Sequence, residues 1–298
     1  MSENTGFLGV PIIPLDGLAS PFAVIGIPRG VPYPNRTVGA TDAPAAIRAR
    51  SARFGSMLGH HDFDLGRALV ADGRNPIADV GDVAAENATA GVRAVLARGA
   101  APIVLGGDDS ITALAIQAFD GHGPLTVLHI DAHIDYRDEV DGVRAGYSSP
   151  MRRAAEMPWV ARIVHCGTRG VGSARPEDVR ATLARGNAIF TAREVRTTGV
   201  ETVLAAFPPG GRYYIAFDCD GLDPAVMPGT GAPLPGGLSF DDAADLLTGL
   251  ARRGRIAGIS FAEHFPPLDV NGITALAIVR LVIQLVGAIT QRTTGVNA

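Results

Sequence analysis

Two cysteines in 298 residues, Cys166 and Cys219, are too few for a disulfide framework, and both fall in apolar runs that read as strands. A reducing cytoplasm fits that usage. Aromatic residues are scarce at 6%, and neither sign of charge dominates, with 26 basic against 30 acidic side chains and a formal charge of −4. That balance excludes nucleic-acid packaging by bulk charge, and the 47% hydrophobic content excludes disorder. The N-terminus lacks the basic flank and apolar run of a secretory signal. Long uninterrupted apolar runs are missing as well. The stretch from Ile273 to Ile289 carries Arg280 and Gln284 and falls short of about 18 uninterrupted apolar residues, so it reads as a nearly buried C-terminal helix. No nucleic-acid or membrane partner is expected, and the expected location is cytoplasmic.

Glycine (37) and proline (21) are abundant but scattered, which suggests tight strand-to-helix turns rather than a flexible linker. At about 100–200 residues per domain the length allows one large domain or two, and without a linker or internal repeat we read residues 1–298 as one. Apolar runs at Phe22–Ile27, Pro102–Leu105, Leu125–Ile130, Ala161–Cys166, Tyr213–Phe217 and Arg255–Phe261 read as strands buried on both faces. Helical stretches lie between them, after Asp42, at Glu86–Arg98, Ser148–Glu156 and Pro176–Arg185, and after Ser239. This alternation predicts an α/β domain with a mainly parallel sheet and a site at the carboxyl ends of its strands.

Acidic clusters stand at three of those ends. One strand runs into Asp108 and Asp109, a second into Asp131, His133 and Asp135, and a third into Asp218 and Asp220. Residues two apart on a strand share a face, so Asp131, His133 and Asp135 can point together, as can Asp218 and Asp220. Carboxylates gathered at a buried sheet end repel unless cations neutralise them. Two divalent ions about 3.5–4 Å apart, sharing carboxylates and one imidazole, would meet that need. The Gly106-Gly107 pair is not a phosphate loop, because the Lys and Ser/Thr of such a loop are missing. Asp108 reads as a cap and Asp109 as the member that faces the site. The histidines at 60, 61, 122, 129 and 165 have no metal spacing among themselves and read as structural or surface groups, while His129, alternating with Asp131 on its strand, could stand behind the site as a supporting group.

These motifs resemble the ureohydrolase family of arginases, agmatinases and guanidinobutyrases, whose patterns are GGDHS, DAHxD and SxDxDxxDPxxxPGTGTPxPGG. The third appears from Ala216 to Gly237 with few departures, and the likeness runs from Asn35, Arg36 and the Pro44–Arg48 segment to Glu263, Thr274 and Ala275. It implies an arginase-like three-layer fold with the sheet between helices. It also implies two divalent ions per subunit, Mn²⁺ foremost with Ni²⁺ or Co²⁺ as alternatives. By the same likeness one ion is held by Asp109, Asp131, Asp135 and Asp218, and the other by Asp131, His133, Asp218 and Asp220. Glu263 matches the carboxylate that grips the substrate guanidinium, Asp223 and Asp108 match supporting positions, and Glu263, Asp135 and His133 are the catalytic candidates. The reaction implied is attack of a metal-bridging hydroxide on a small cationic guanidino substrate, agmatine-like, giving urea and an amine. A homo-oligomer, trimer or hexamer, is implied too.

Two departures stand out. Asp109 occupies the place of a metal-binding His, which leaves the five-Asp site one net negative charge more than the usual set and should favour harder ions and a cationic substrate. The segment from Asp138 to Arg153 lacks the family's loop His, for which Tyr147, His264 or water would have to substitute. Asp138, Glu139 and Asp141 read as a solvated loop. Arginine is disfavoured because the elements that grip an amino-acid carboxylate are absent, which leaves agmatine, guanidinobutyrate, guanidine or a biguanide such as metformin. The lost histidines also motivate a different reading, a weakly active or non-catalytic subunit paired with an active paralogue.

Overall fold

The apolar runs form strands in the computed structural model, which describes residues 5–31, 33, 39–70 and 73–294. The strands are β1 (Phe22–Ile27), β2 (Ile77–Asp82), β3 (Ala101–Gly106), β4 (Leu125–Ile130), β5 (Val160–Thr168), β6 (Ala188–Thr191), β7 (Arg212–Asp218) and β8 (Arg255–Ala262). They make one sheet in the order β2-β1-β3-β8-β7-β4-β5-β6, and every pairing is parallel. The sequence reading missed β2 and β6. Both are edge strands, and an edge needs less apolar sequence: β2 holds two Asp and a Gly, while β6 has four half-buried residues.

Side chains alternate across the sheet, so β3 sends Ile103 and Leu105 into one core cluster and Val104 into the other. Helices α1 (Ala43–Ser51), α8 (Phe240–Arg253) and α9 (Ile273–Thr294) cover the first face. Helices α2 (Ala88–Ala97), α3 (Ser110–Gln117) and α4 (Pro150–Ala155) cover the second. Helices α6 (Ala192–Thr198) and α7 (Val200–Leu204) join the first face through Val195, Val203 and Leu204, and α5 (Pro176–Ala184) packs on the second through Val179. The result is a single domain of three layers, the parallel sheet flanked by helices. Truncating a fully buried side chain such as Leu128 to Ala should cost about 2–5 kcal/mol.

Among the described residues α9 is the one helix long and apolar enough to cross a bilayer, but most of it is buried inside the protein. Arg280 and Gln284, which interrupt its apolar run, share a partner: Arg280 Nη2 and Gln284 Nε2 both donate to Asp64 Oδ2, at 2.5 and 2.8 Å. They sit one turn apart on one face, as the spacing predicts.

Chain order explains where the site falls. The chain lays down β1 to β3 on one side, jumps to β4 to β6 on the other, and then fills the gap with β7 and β8. The switch therefore leaves β3, β8, β7 and β4 as consecutive central neighbours, with their carboxyl ends together.

Candidate active site

Each of those four central strands delivers acid. Asp108 and Asp109 follow β3, Glu263 follows β8, Asp218 ends β7 with Asp220 in the turn beyond, and Asp131, His133 and Asp135 follow β4. Asp135 and Glu263 have positive φ, 42° and 61°, a conformation that costs about 1–3 kcal/mol in a non-glycine residue and gathers at functional sites. Gly107 answers a packing need, because a Cβ there would collide with the Arg29 carbonyl. That close approach lets the Asp108 N–H donate to Arg29 O at 2.9 Å.

Asp131 stands at the centre with its two oxygens turned to different neighbours. Oδ2 lies 2.9 Å from His129 Nε2, and Oδ1 lies 3.2 Å from His133 Nδ1, which is also 3.2 Å from Asp220 Oδ2. Two groups of ligand-capable atoms result, Asp109, His129, Asp131 and Asp135 in one and Asp131, His133 and Asp220 in the other. Asp218 falls in neither group; its Oδ1 accepts from the Asp220 N–H at 2.8 Å, which orients that turn. Asp109 is held by Thr112, whose hydroxyl donates to Oδ1 at 2.5 Å.

The supporting positions act on backbone. Asp108 accepts from the Val31 N–H at 2.5 Å and from the Ser110 N–H at 3.1 Å, at the start of α3. Asp223 accepts from the N–H groups of Ala225, Gly236 and Gly237, at 2.9, 2.7 and 3.2 Å. Arg169, which the sequence reading did not single out, donates to the carbonyls of Gly167, Asp220, Gly221, Leu222 and Leu234 and so fastens the turn that carries Asp220.

Electrostatics test whether cations fit. Burial, and after it the neighbouring carboxylates, push Asp109, Asp135 and Asp218 well above the usual carboxylate range, and burial followed by Asp108 does the same to Glu263. Burial also opposes charge on Asp131, yet His129 and His133 beside it hold it well below that range. Burial works against His133 as a cation too, but Asp131 and Asp220 push it up to about 12. Positive charge is what this cluster lacks. Asp109 Oδ2 is also buried without any hydrogen-bond partner. Buried polar atoms left that way cost about 1–3 kcal/mol each, and oxygen and imidazole donors around one point fit a divalent ion.

Above the cluster opens a cavity of about 460 Å³. Asp108, Asp135, Asp218, Asp220 and Glu263 line it with His133, and among the described residues no Lys or Arg does. Tyr147 lines it too, its ring tilted against that of Tyr33 with centroids 4.4 Å apart. His264 does not. It is buried below, its Nδ1 3.3 Å from Gly229 O and its Nε2 3.8 Å from Asp269 Oδ2, and Phe265 lines the cavity instead. The exposed Asp138 pairs with Arg153 and Arg144 at 2.7 and 3.0 Å, as a solvated loop would. Asn35 and Arg36 lie outside the described residues.

A family profile described as the arginase family matches residues 20–287. The chain belongs to that family. It is 32% identical over 281 residues to a protein named mitochondrial agmatinase from Gallus gallus, covering 88% of this chain and 79% of that one. Over 286 residues it is 32% identical to a guanidinobutyrase from Pseudomonas aeruginosa, covering 91% and 86%. The solved structure of proclavaminate amidino hydrolase from Streptomyces clavuligerus shares its fold with a TM-score of 0.85 at 28% identity, covering 97% and 98%. The chain is an arginase-family ureohydrolase, with an Asp/His cluster that can bind metal.

His129, which the sequence offers as a supporting group behind Asp131, is fully buried and joins the first ligand group.

Proposed function

We propose that the chain hydrolyses a small guanidino compound with a cationic tail, agmatine-like, to urea and an amine. The observation that carries this reading is the cavity wall: five carboxylates and no described Lys or Arg. A guanidino acid such as guanidinobutyrate would bring a carboxylate that finds no charge partner there, whereas an amine tail finds several.

In this reading Asp109, Asp131, Asp135 and Asp218 hold one divalent ion and Asp131, His133, Asp218 and Asp220 the other, with Mn²⁺ foremost. Asp131 is suited to join the two sites because its oxygens face different groups. Bound ions of this kind supply a water activated for attack at neutral pH. Glu263 lines the cavity and accepts from the Asp109 N–H at 2.8 Å, so its carboxylate is fixed where a planar guanidinium can pair with it. Asp135 reaches both the ligand group and the cavity, and would take the proton that the leaving amine later receives. Phe265 and Tyr147, the latter packed against Tyr33, give the cavity an aromatic wall against which the flat guanidinium would lie. A homo-oligomer belongs to the same reading, and Leu268, Val270 and Ile273 offer exposed apolar surface for it.

Urea release from agmatine and guanidinobutyrate tests the reading. We expect kcat/KM for agmatine to exceed that for guanidinobutyrate by about tenfold or more, a difference of about 1.4 kcal/mol. A preference for the acid would overturn it. No urea from any guanidino compound by a fully metallated protein would favour the alternative, a subunit that supports an active paralogue.

A further inference from the structure

We infer that the end of the sheet opposite the acids holds a binding site for a small organic anion, one carboxylate or phosphate head on an apolar body. The inference is independent of the two-ion reading. A cavity of about 450 Å³ opens at the amino ends of β1, β3, β7 and β8. Arg212, Arg255, Arg292 and His122 line it, and among the described residues no Asp or Glu does. The chain as a whole carries a formal charge of −4, so this gathering of cations is local. Position produces it: Arg212 opens β7, Arg255 opens β8, and the two are partners in register.

Like charges set side by side repel unless something of opposite sign stands between them. Arg212 lacks such a partner. Its Nε and Nη1 are buried and make no hydrogen bond among the described residues. Burial, and after it Arg255 alongside, pulls the guanidinium down from its ordinary value, and no carboxylate counters them. Buried donors without an acceptor are costly, more so on a charged group. An anion seated against Arg212 and Arg255 supplies both the acceptor and the countercharge. Arg292 is already anchored nearby, its Nη1 donating to Ala251 O and Gly254 O at 3.0 and 2.6 Å.

The walls give the class of ligand. A guanidinium presents forked N–H groups that fit a carboxylate or a phosphate, and a concave site lined by one sign of charge draws the opposite sign. Phe22, Leu96, Ile256 and Ile289 form an apolar part of the wall, which suits an organic body and not a bare inorganic ion. The volume lies within the range of small-molecule sites, about 300–1,000 Å³. A cationic guanidino compound is repelled here, so the cavities at the two ends of the sheet take ligands of opposite sign.

The test titrates the purified Mn²⁺-loaded full chain, in phosphate-free buffer, with hexanoate, with hexyl phosphate, and with hexanamide, which keeps the body and removes the charge. We expect one or both anions to bind at least about tenfold more tightly than hexanamide, to raise Tm, and to weaken as salt rises. The tighter of the two anions identifies the head. In Arg212→Gln and in Arg255→Gln, each checked for folding by circular dichroism, affinity for that anion should fall about tenfold or more, because each variant removes a charged fork. Loss in these variants places the bound anion in this cavity and not on the metal ions at the other end of the sheet. Equal affinity for the anions and hexanamide, no binding of either anion, or an affinity unchanged in both variants overturns the inference.

Discussion

The Asp109 N–H donates to Glu263 Oε1 at 2.8 Å, joining the ends of the neighbouring strands β3 and β8 over the site. The Glu263 N–H in turn donates to Gly107 O at 2.9 Å. This pair holds a carboxylate at positive φ above the cluster, so Glu263→Gln keeps the acceptor and removes only the charge. We expect kcat/KM for agmatine to fall about 100-fold or more, equivalent to about 2.7 kcal/mol, with metal content unchanged. Steady-state kinetics beside elemental analysis would show this, and unaltered kinetics would remove Glu263 from substrate binding.

Asp109 carries the chain's main departure from its family. Its Oδ2 is buried and unpartnered, so Asp109→Ala should lower metal content by about one ion per chain. Elemental analysis after reconstitution measures this directly. Unchanged metal content would mean that Asp109 is not a ligand.

Burial and neighbouring acids raise Asp109, Asp135 and Asp218 above their ordinary 3.8 in the ion-free protein. A carboxyl raised by folding contributes stability that is full below its unfolded value and is lost as pH rises through the folded one. His133, raised from 6.5 to about 12, loses its contribution over that interval in the same direction. Asp131, lowered by folding, already contributes fully above about pH 4. The chelated protein should therefore lose thermal stability from pH 5 to pH 8, while metal affinity grows as protons stop competing. The gap in Tm between Mn²⁺-loaded and chelated protein should widen over that range. A constant or shrinking gap would contradict this.

Away from the site, Arg48 Nε and Nη2 donate to Asp79 at 2.7 and 3.0 Å, both groups buried, and Asp79 also accepts from the Phe7 N–H at 2.7 Å. Arg48→Met would leave Asp79 without its cation, at about 3–5 kcal/mol. Urea denaturation should show the loss in midpoint. A change below about 1 kcal/mol would show that Asp79 needs no countercharge.

Strands β1, β3, β4, β5, β7 and β8 were legible because helices cover both faces, which demands unbroken apolar runs. Strands β2 and β6 were not, since their edge positions relax that demand. Most of the acids were legible for a related reason: a short motif at a strand end carries its own geometry, as with Asp131, His133 and Asp135. The place of His129 was half legible: its alternation with Asp131 shows in the sequence, while its approach to Asp109 after β3 and its pairing with His165 of β5 do not. Only sheet order and register bring those residues together. The sequence neighbours His264 and Phe265 differ in which one faces the cavity, a matter of local backbone after the positive-φ Glu263.

The most direct test of the account is urea release from agmatine by chelated protein before and after Mn²⁺ is restored, with bound metal counted in the same sample. We predict no activity in the chelated protein, and urea formation returning in step with binding up to about two ions per chain. Urea production that persists without metal, or a fully loaded protein that forms none, would contradict it.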